Sequence, residues 1–199
     1  MSSADRPTRK RILDAAWSLL EAGERAVRMS DIARAAGVSR QALYLHFPSR
    51  AELLVATTRH VDAAKDIDAR LAPSREAQSG AERLWRFIEA WGNYIPEIHG
   101  VARALMAMQD SDEEARQAWS DRMQAVRHGC EAAVAAIASE GRLTDTLDRT
   151  TATDLLWTLL SVRNWEQLVR ECGWTQDRYI TEMQRLAART LLVAPEQPG

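Results

Sequence analysis

Arg40, Gln41, Ala42 and Tyr44 stand close together near residue 40. Their guanidinium, amide and phenol groups make a dense hydrogen-bonding set at a place where a soluble bundle needs no particular residue. Such a set binds and discriminates; it does not make or break covalent bonds. The residues that could do covalent or metal chemistry are poorly arranged for it. His46, His60, His99 and His128 never come within the short spacings of a zinc-binding helix, and Cys130 and Cys172 lie far apart with no CxxC pattern. The two cysteines read as reduced, buried thiols. The chain has no glycine-rich phosphate loop and no recognisable pairing of carboxylate with histidine, so the expectation is a protein without catalytic residues, metal or cofactor.

The hydrogen-bonding set needs a rigid support, and the run Met29 to Phe47, MSDIARAAGVSRQALYLHF, supplies one. Ile32, Ala33 and Ala36 recur at helical spacing, and Gly37 follows where a residue tolerant of positive φ ends the helix. Val38 can plug the corner. Ser39 suits the N-cap of a second helix, with Leu43 and Phe47 turned back onto the first and Arg40, Gln41, Ala42 and Tyr44 turned outward. Two short helices joined by a tight glycine turn form a DNA-reading element, because a helix of this kind fits the major groove.

The order of marks resembles the TetR family of bacterial transcriptional regulators over roughly the first sixty residues. An amphipathic helix precedes the motif; Asp31–Ala33 and Ala36–Ser39 read D-I-A then A-G-V-S, Leu43–Phe47 reads L-Y-x-H-F, and Arg50 and Leu53 follow. What the resemblance implies is base reading by Arg40 and Gln41, the first suited to guanine and the second to adenine. It also implies backbone contacts from Tyr44, His46 and Arg50, with Ser30, Ser39 and Ala42 completing the DNA-facing set. One mark departs: Arg28 stands where the family often has threonine, so capping of the first motif helix falls to Ser30 or to nothing.

Charge is split along the chain. Residues 1–60 carry ten Lys and Arg against six Asp and Glu, a net of +4, whereas residues 61–199 carry sixteen against twenty-two, a net of −6. A basic end on an acidic body suits a protein in which one end meets polyphosphate. The longest uncharged stretch, Gln41 to Ser49, is nine residues, far short of the roughly 20 apolar residues of a spanning helix. Asp14 interrupts the sequence after Arg6, Arg9, Lys10 and Arg11, which excludes a signal-peptide pattern there. The expected location is the cytoplasm, with no membrane partner.

Everything in the chain reads as helix, so the expected fold is all-α, with about nine helices. A three-helix DNA-binding domain is expected over 1–50, followed over 51–199 by a helical-bundle domain for effector binding and dimerisation, joined through a fourth helix. Ile12, Leu13, Ala16, Trp17 and Leu20 stripe the first helix, closed by Gly23; Ser49 to Glu52 is a capping box opening the fourth. Pro73 to Gly80 reads as a linker, and Pro96 to Gly100 as a break between a fifth helix and a short sixth. The acidic run Asp110–Glu114 reads as the capped start of a helix carrying Trp119, Met123, Val126, Cys130, Ala133 and Ile137, ended by Gly141.

The stretch 150–172 is apolar on two faces, Leu155, Leu156, Leu159 and Leu160 on one and Trp157, Ser161, Trp165, Leu168 and Val169 on the other. It is either the central helix of a large bundle or faces its own core on one side and a second protein on the other. A homodimer through this stretch and the final helix, which carries Tyr179, Ile180, Met183, Leu186, Ala187 and Leu191, is the preferred account. Its candidate contacts are Leu155, Leu159, Trp165, Leu168, Met183 and Leu186. Trp91, Met106, Met108, Trp119, Met123, Trp157 and Trp165 lie on helices that in TetR-like proteins surround an effector cavity, and flexible Met with flat Trp suits an apolar or aromatic ligand. Each is also compatible with plain core. The functional expectation is a ligand-responsive repressor that binds a pseudo-palindromic double-stranded operator as a homodimer. The alternative is an activator or constitutive regulator without a small effector.

Overall fold

The computed structural model describes residues 5–23 and 27–193. The helices are α1 (Asp5–Glu21), α2 (Met29–Ala36), α3 (Arg40–His46), α4 (Arg50–Ala64), α5 (Ile67–Arg75), α6 (Gly80–Met108), α7 (Glu113–Ser139), α8 (Arg149–Leu159), α9 (Val162–Trp165) and α10 (Gln176–Leu191), with a π-helical turn over Glu166–Glu171 between the last two. The fold is all-α, as the periodicity requires. Two compact units emerge, one formed by the chain up to Asp66 with Ile98–Met123, the other by Ile67–Glu97 with the chain from Gln124 onward. Residues 1–4, 24–26 and 194–199 of the expected domains lie outside the described residues.

In the first unit α1 packs on α2 and α4, and α2 on α3. The shared core is Ile12, Ala16 and Leu20 of α1, Ile32 and Ala33 of α2, Leu43 and Phe47 from the α3 segment, and Leu53 and Leu54 of α4. The small Ala33 and Ala36 allow the close crossing. Ser49 caps α4 by accepting from the Glu52 N–H at 3.2 Å, as the capping box predicts.

Three expected boundaries fall elsewhere, each for an identifiable reason. The break at Pro96–Gly100 is absent: α6 runs unbroken through Pro96. A proline inside a helix removes one N–H bond and leaves the carbonyl four residues earlier without its partner. That carbonyl belongs to Gly92, and it accepts instead from Gln176 Nε2 of α10 at 2.7 Å. The absence of a Cβ at Gly92 lets Ile180 pack against the same spot, since a methyl there would lie 3.0 Å from its Cγ1. The linker expected at Pro73–Gly80 shrinks to residues 76–79, because Pro73 lies within α5 and buried Ser74 donates from its hydroxyl to the Arg83 carbonyl at 3.0 Å.

The stretch expected as one two-faced helix over 150–172 is broken at Leu160 and Ser161. Ser161 caps α9 by accepting from the Asn164 N–H at 3.2 Å, which withdraws that donor from the Leu160 carbonyl. Trp91 Nε1 fills the place at 2.8 Å.

Candidate nucleic-acid interface

The turn between α2 and α3 is made by Gly37, held at φ 64° and ψ 38° in the left-handed region. Its N–H donates to the Arg34 carbonyl at 3.2 Å, and the Val38 N–H donates to the Ala33 carbonyl at 3.0 Å, so α2 ends with two terminal carbonyls satisfied by the turn itself. At its start α2 has Arg28 as N-cap with no side-chain bond. Of the two capping possibilities left by the sequence, Ser30 is therefore not the cap. Ser39 caps α3, its Oγ accepting from the Ala42 N–H at 3.1 Å.

Successive residues of α3 point about 100° apart. With buried Leu43 taken as the inward direction, Arg40 and His46 stand roughly 60° to either side of it and Tyr44 and Ala42 roughly 100° to either side. Gln41 and Leu45, roughly 160° away on either side, form the outermost ridge. Burial follows this map. Leu43 and Phe47 are buried, His46 and Ala42 are half-buried, and Arg40, Gln41, Tyr44 and Leu45 are exposed. Behind α3, the Arg9 guanidinium stacks over the Phe47 ring at 4.6 Å, closing the core on the α1 side. Of the α3 residues that the sequence assigns to recognition, Gln41 stands on the outer ridge and Arg40 and Tyr44 are exposed to either side of it, on a helix pinned from within.

Two sequence readings change here. Leu45 has no role in the sequence reading, yet it is 81% exposed on the outermost ridge; its spacing of four from Gln41 is the signal that could have found it. Arg50, expected as a backbone contact, points its guanidinium into the first unit and is only 13% exposed. Its Nη1 donates to Asp112 at 2.7 Å and to Glu114 at 3.3 Å, and its Nε to the Val27 carbonyl at 2.5 Å. A guanidinium committed to two carboxylates and a carbonyl positions helices and leaves no fork for a phosphate. The acidic run therefore has two roles. Asp112 caps α7, accepting from the Ala115 N–H at 3.1 Å, while it holds Arg50.

The Arg50–Asp112 pair is the first of a series along α4 and the start of α7. Arg59 pairs with Asp121 at 2.9 Å and Asp62 with Arg122 at 2.9 Å. The pairing offset is 62, 62 and 60 residues, so these segments run side by side in the same direction. Beside this series is an apolar cavity of about 20 Å³, lined by Thr58, Val61, Asp62, Ile98, Val101, Ala102, Leu105, Trp119 and Arg122. Arg122 Nε is buried without a hydrogen-bond partner among the described residues.

The expected effector set is distributed differently from its prediction. Trp119 lines the cavity. Trp91 and Trp165 are buried and hydrogen-bonded into the fold of the second unit, the latter donating from Nε1 to Gln176 Oε1 at 2.9 Å. Met106 and Met108 are buried, whereas Met123 and Trp157 are half-exposed. Of the expected dimer contacts, Trp165 and Met183 are buried within the chain, 3% and 1% exposed, and are withdrawn from that role. Leu155 of α8 and Leu186 of α10 are exposed, and Leu159 and Leu168 half-buried.

Residues 12–57, from the middle of α1 to the middle of α4, match the model of the bacterial regulatory proteins, tetR family. This segment is similar to the DNA-binding part of TetR-family regulators. The HTH-type transcriptional regulator EthR of Mycobacterium tuberculosis is 30% identical over 119 residues, covering 57% of this chain and 53% of EthR. The repressor LfrR of Mycolicibacterium smegmatis is 45% identical over 60 residues, covering 30% of this chain and 31% of LfrR. The chain thus spans about half the length of EthR, and less of LfrR. A regulator from Saccharomonospora viridis, solved in complex with choline, shares the fold with a TM-score of 0.72 at 21% identity, over 95% of this chain and 100% of that one. Among the described residues no helix is long and apolar enough to cross a membrane, and no cluster of His, Cys, Asp and Glu has the make-up of a metal site.

Proposed function

We propose that this chain is a ligand-responsive transcriptional repressor of the TetR family that binds a pseudo-palindromic operator as a homodimer. The observation that carries the reading is the outer face of α3. Arg40, Gln41 and Tyr44 are exposed on a helix whose Leu43 and Phe47 are anchored in the core, and a fixed helix with a free polar face is what major-groove reading needs. Arg40 and Gln41 read bases; Tyr44, His46, Ser30 and Ser39 contact the backbone, and Ala42 borders them.

Dimerisation is assigned to α8 and α10, which contact one another and carry exposed Leu155 and Leu186 with half-buried Leu159. Exposed apolar side chains on two adjacent helices support a self-complementary face. The effector is assigned to the cavity beside α4. Its lining favours an apolar or aromatic ligand, and the unpartnered Arg122 Nε favours one that also carries a hydrogen-bond acceptor. At about 20 Å³ the cavity has room for about one water, so a larger occupant must displace α4, the helix that follows directly on α3. The same small volume favours the second reading, a regulator that needs no small effector. The S. viridis neighbour, solved in complex with choline, supports ligand response in a protein of this fold.

A gel shift with the DNA flanking the protein's own gene tests the reading. Retardation that is reversed by aliphatic or aromatic compounds supports the repressor with an effector. Retardation that no compound reverses favours the second reading, and no retardation on any of this DNA contradicts both.

A further inference from the structure

Leu45 is the least buried large apolar side chain among the described residues, 81% exposed, and it stands on the outermost ridge of α3 beside Gln41. A leucine held in water at the point farthest from its own core contributes nothing to folding, so its whole apolar surface is open to contact with an apolar group of whatever α3 docks against. On the reading that α3 enters the major groove, which this inference rests on, the apolar group offered to that ridge is the C5 methyl of thymine. Gln41 and Leu45 are four residues apart on one helix, a rise of about 6 Å, so the two side chains reach base pairs one or two steps apart. We infer that Leu45 is a specificity-determining residue that packs on a thymine methyl, one or two base pairs from the adenine recognised by Gln41.

The inference separates Leu45 from the polar readers, because a methyl can be removed from DNA without touching any hydrogen-bonding group. The experiment selects a binding duplex from a random pool with the full-length protein. Each thymine of that duplex is then replaced by deoxyuridine, one position at a time, and the affinity of wild-type, Leu45→Ala, Leu45→Ile and Tyr44→Phe proteins is measured. The expected result is one thymine per half-site whose replacement weakens wild-type binding about fourfold, the value of one buried methyl group. Leu45→Ala should bind the thymine and deoxyuridine duplexes equally, whereas Leu45→Ile and Tyr44→Phe keep the discrimination. An exposed site makes Leu45→Ala safe for folding, and circular dichroism of the variant checks it. Wild-type protein that binds the selected duplex but ignores every thymine replacement overturns the inference and leaves the reading of α3 standing. Discrimination that survives in Leu45→Ala overturns it in the same way. Failure to select any duplex overturns the reading of α3 and the inference with it.

Discussion

Arg50 shows how one side chain can be legible in type and illegible in role. Its position after Pro48 and Ser49 marks it as the basic residue that follows the reading helix, but its partners Asp112 and Glu114 lie more than sixty residues away, and no local pattern connects them. Arg50→Ala should destabilise the protein by about 2 kcal/mol, since it leaves the half-buried Asp112 carboxylate and the Val27 carbonyl without a charged donor. Thermal unfolding checks that loss, and the slope of DNA affinity against salt should stay as in wild type. A flattened slope with unchanged thermal stability would return Arg50 to the DNA backbone. Gln41 and Leu43, by contrast, are readable, because their opposite directions follow from helical periodicity alone. The cysteines divide in the same way. Both read as buried in the sequence, yet Cys172 is exposed and Cys130 is fully enclosed, burial pushing its thiol up to about 12. A raised thiol pKa means that almost no thiolate forms at pH 8. Iodoacetamide at that pH should label Cys172 in the native protein and reach Cys130 only after denaturation, as peptide mass spectrometry would read.

Among the helices, the motif is legible and the body is not. Gly37 and Ser39 announce their own conformations through chemistry within three residues, so the α2–α3 turn can be written from the sequence. Pro96 announces a break, and none occurs, because Gln176, eighty-four residues beyond Gly92, supplies the missing donor. Gln176 also accepts from Trp165, so one amide serves a proline-interrupted helix and a buried indole at once. Replacing it with leucine should cost about 2 kcal/mol by urea unfolding, the loss left when buried partners go unsatisfied. Restoring the missing N–H by Pro96→Ala should recover part of that loss in the double variant. Equal losses with and without Pro96 would show that Gln176 acts through Trp165 alone. The break at Ser161 is hidden for a related reason. Ser161 reads as part of an apolar face, whereas its hydroxyl caps α9 and hands the Leu160 carbonyl to Trp91.

Across the molecule, the charge split and the motif at one end are evident from the sequence, but which apolar residues face outward is not. Trp165 and Met183 have the composition of an interface and the burial of a core, and Leu155 and Leu186 carry the exposed surface. Light scattering at micromolar concentration should give a dimer for the wild-type chain and a monomer for Leu155→Glu combined with Leu186→Glu. The monomer should still fold, because both sites are open to water, and should lose most of its DNA affinity, because two reading helices no longer engage two half-sites together. A double variant that remains dimeric would place the interface elsewhere. Everything proposed for this chain depends on the outer face of α3 reading DNA sequence, and one experiment decides that: bound duplexes are selected from a random pool, and Gln41→Ala and Arg40→Ala are measured on the winner. One pseudo-palindrome should be enriched, with each variant losing about 1–3 kcal/mol and relaxing preference at one base position per half-site. A pool with no enriched sequence, or variants that bind the enriched one as tightly and as selectively as wild type, would contradict sequence reading by α3.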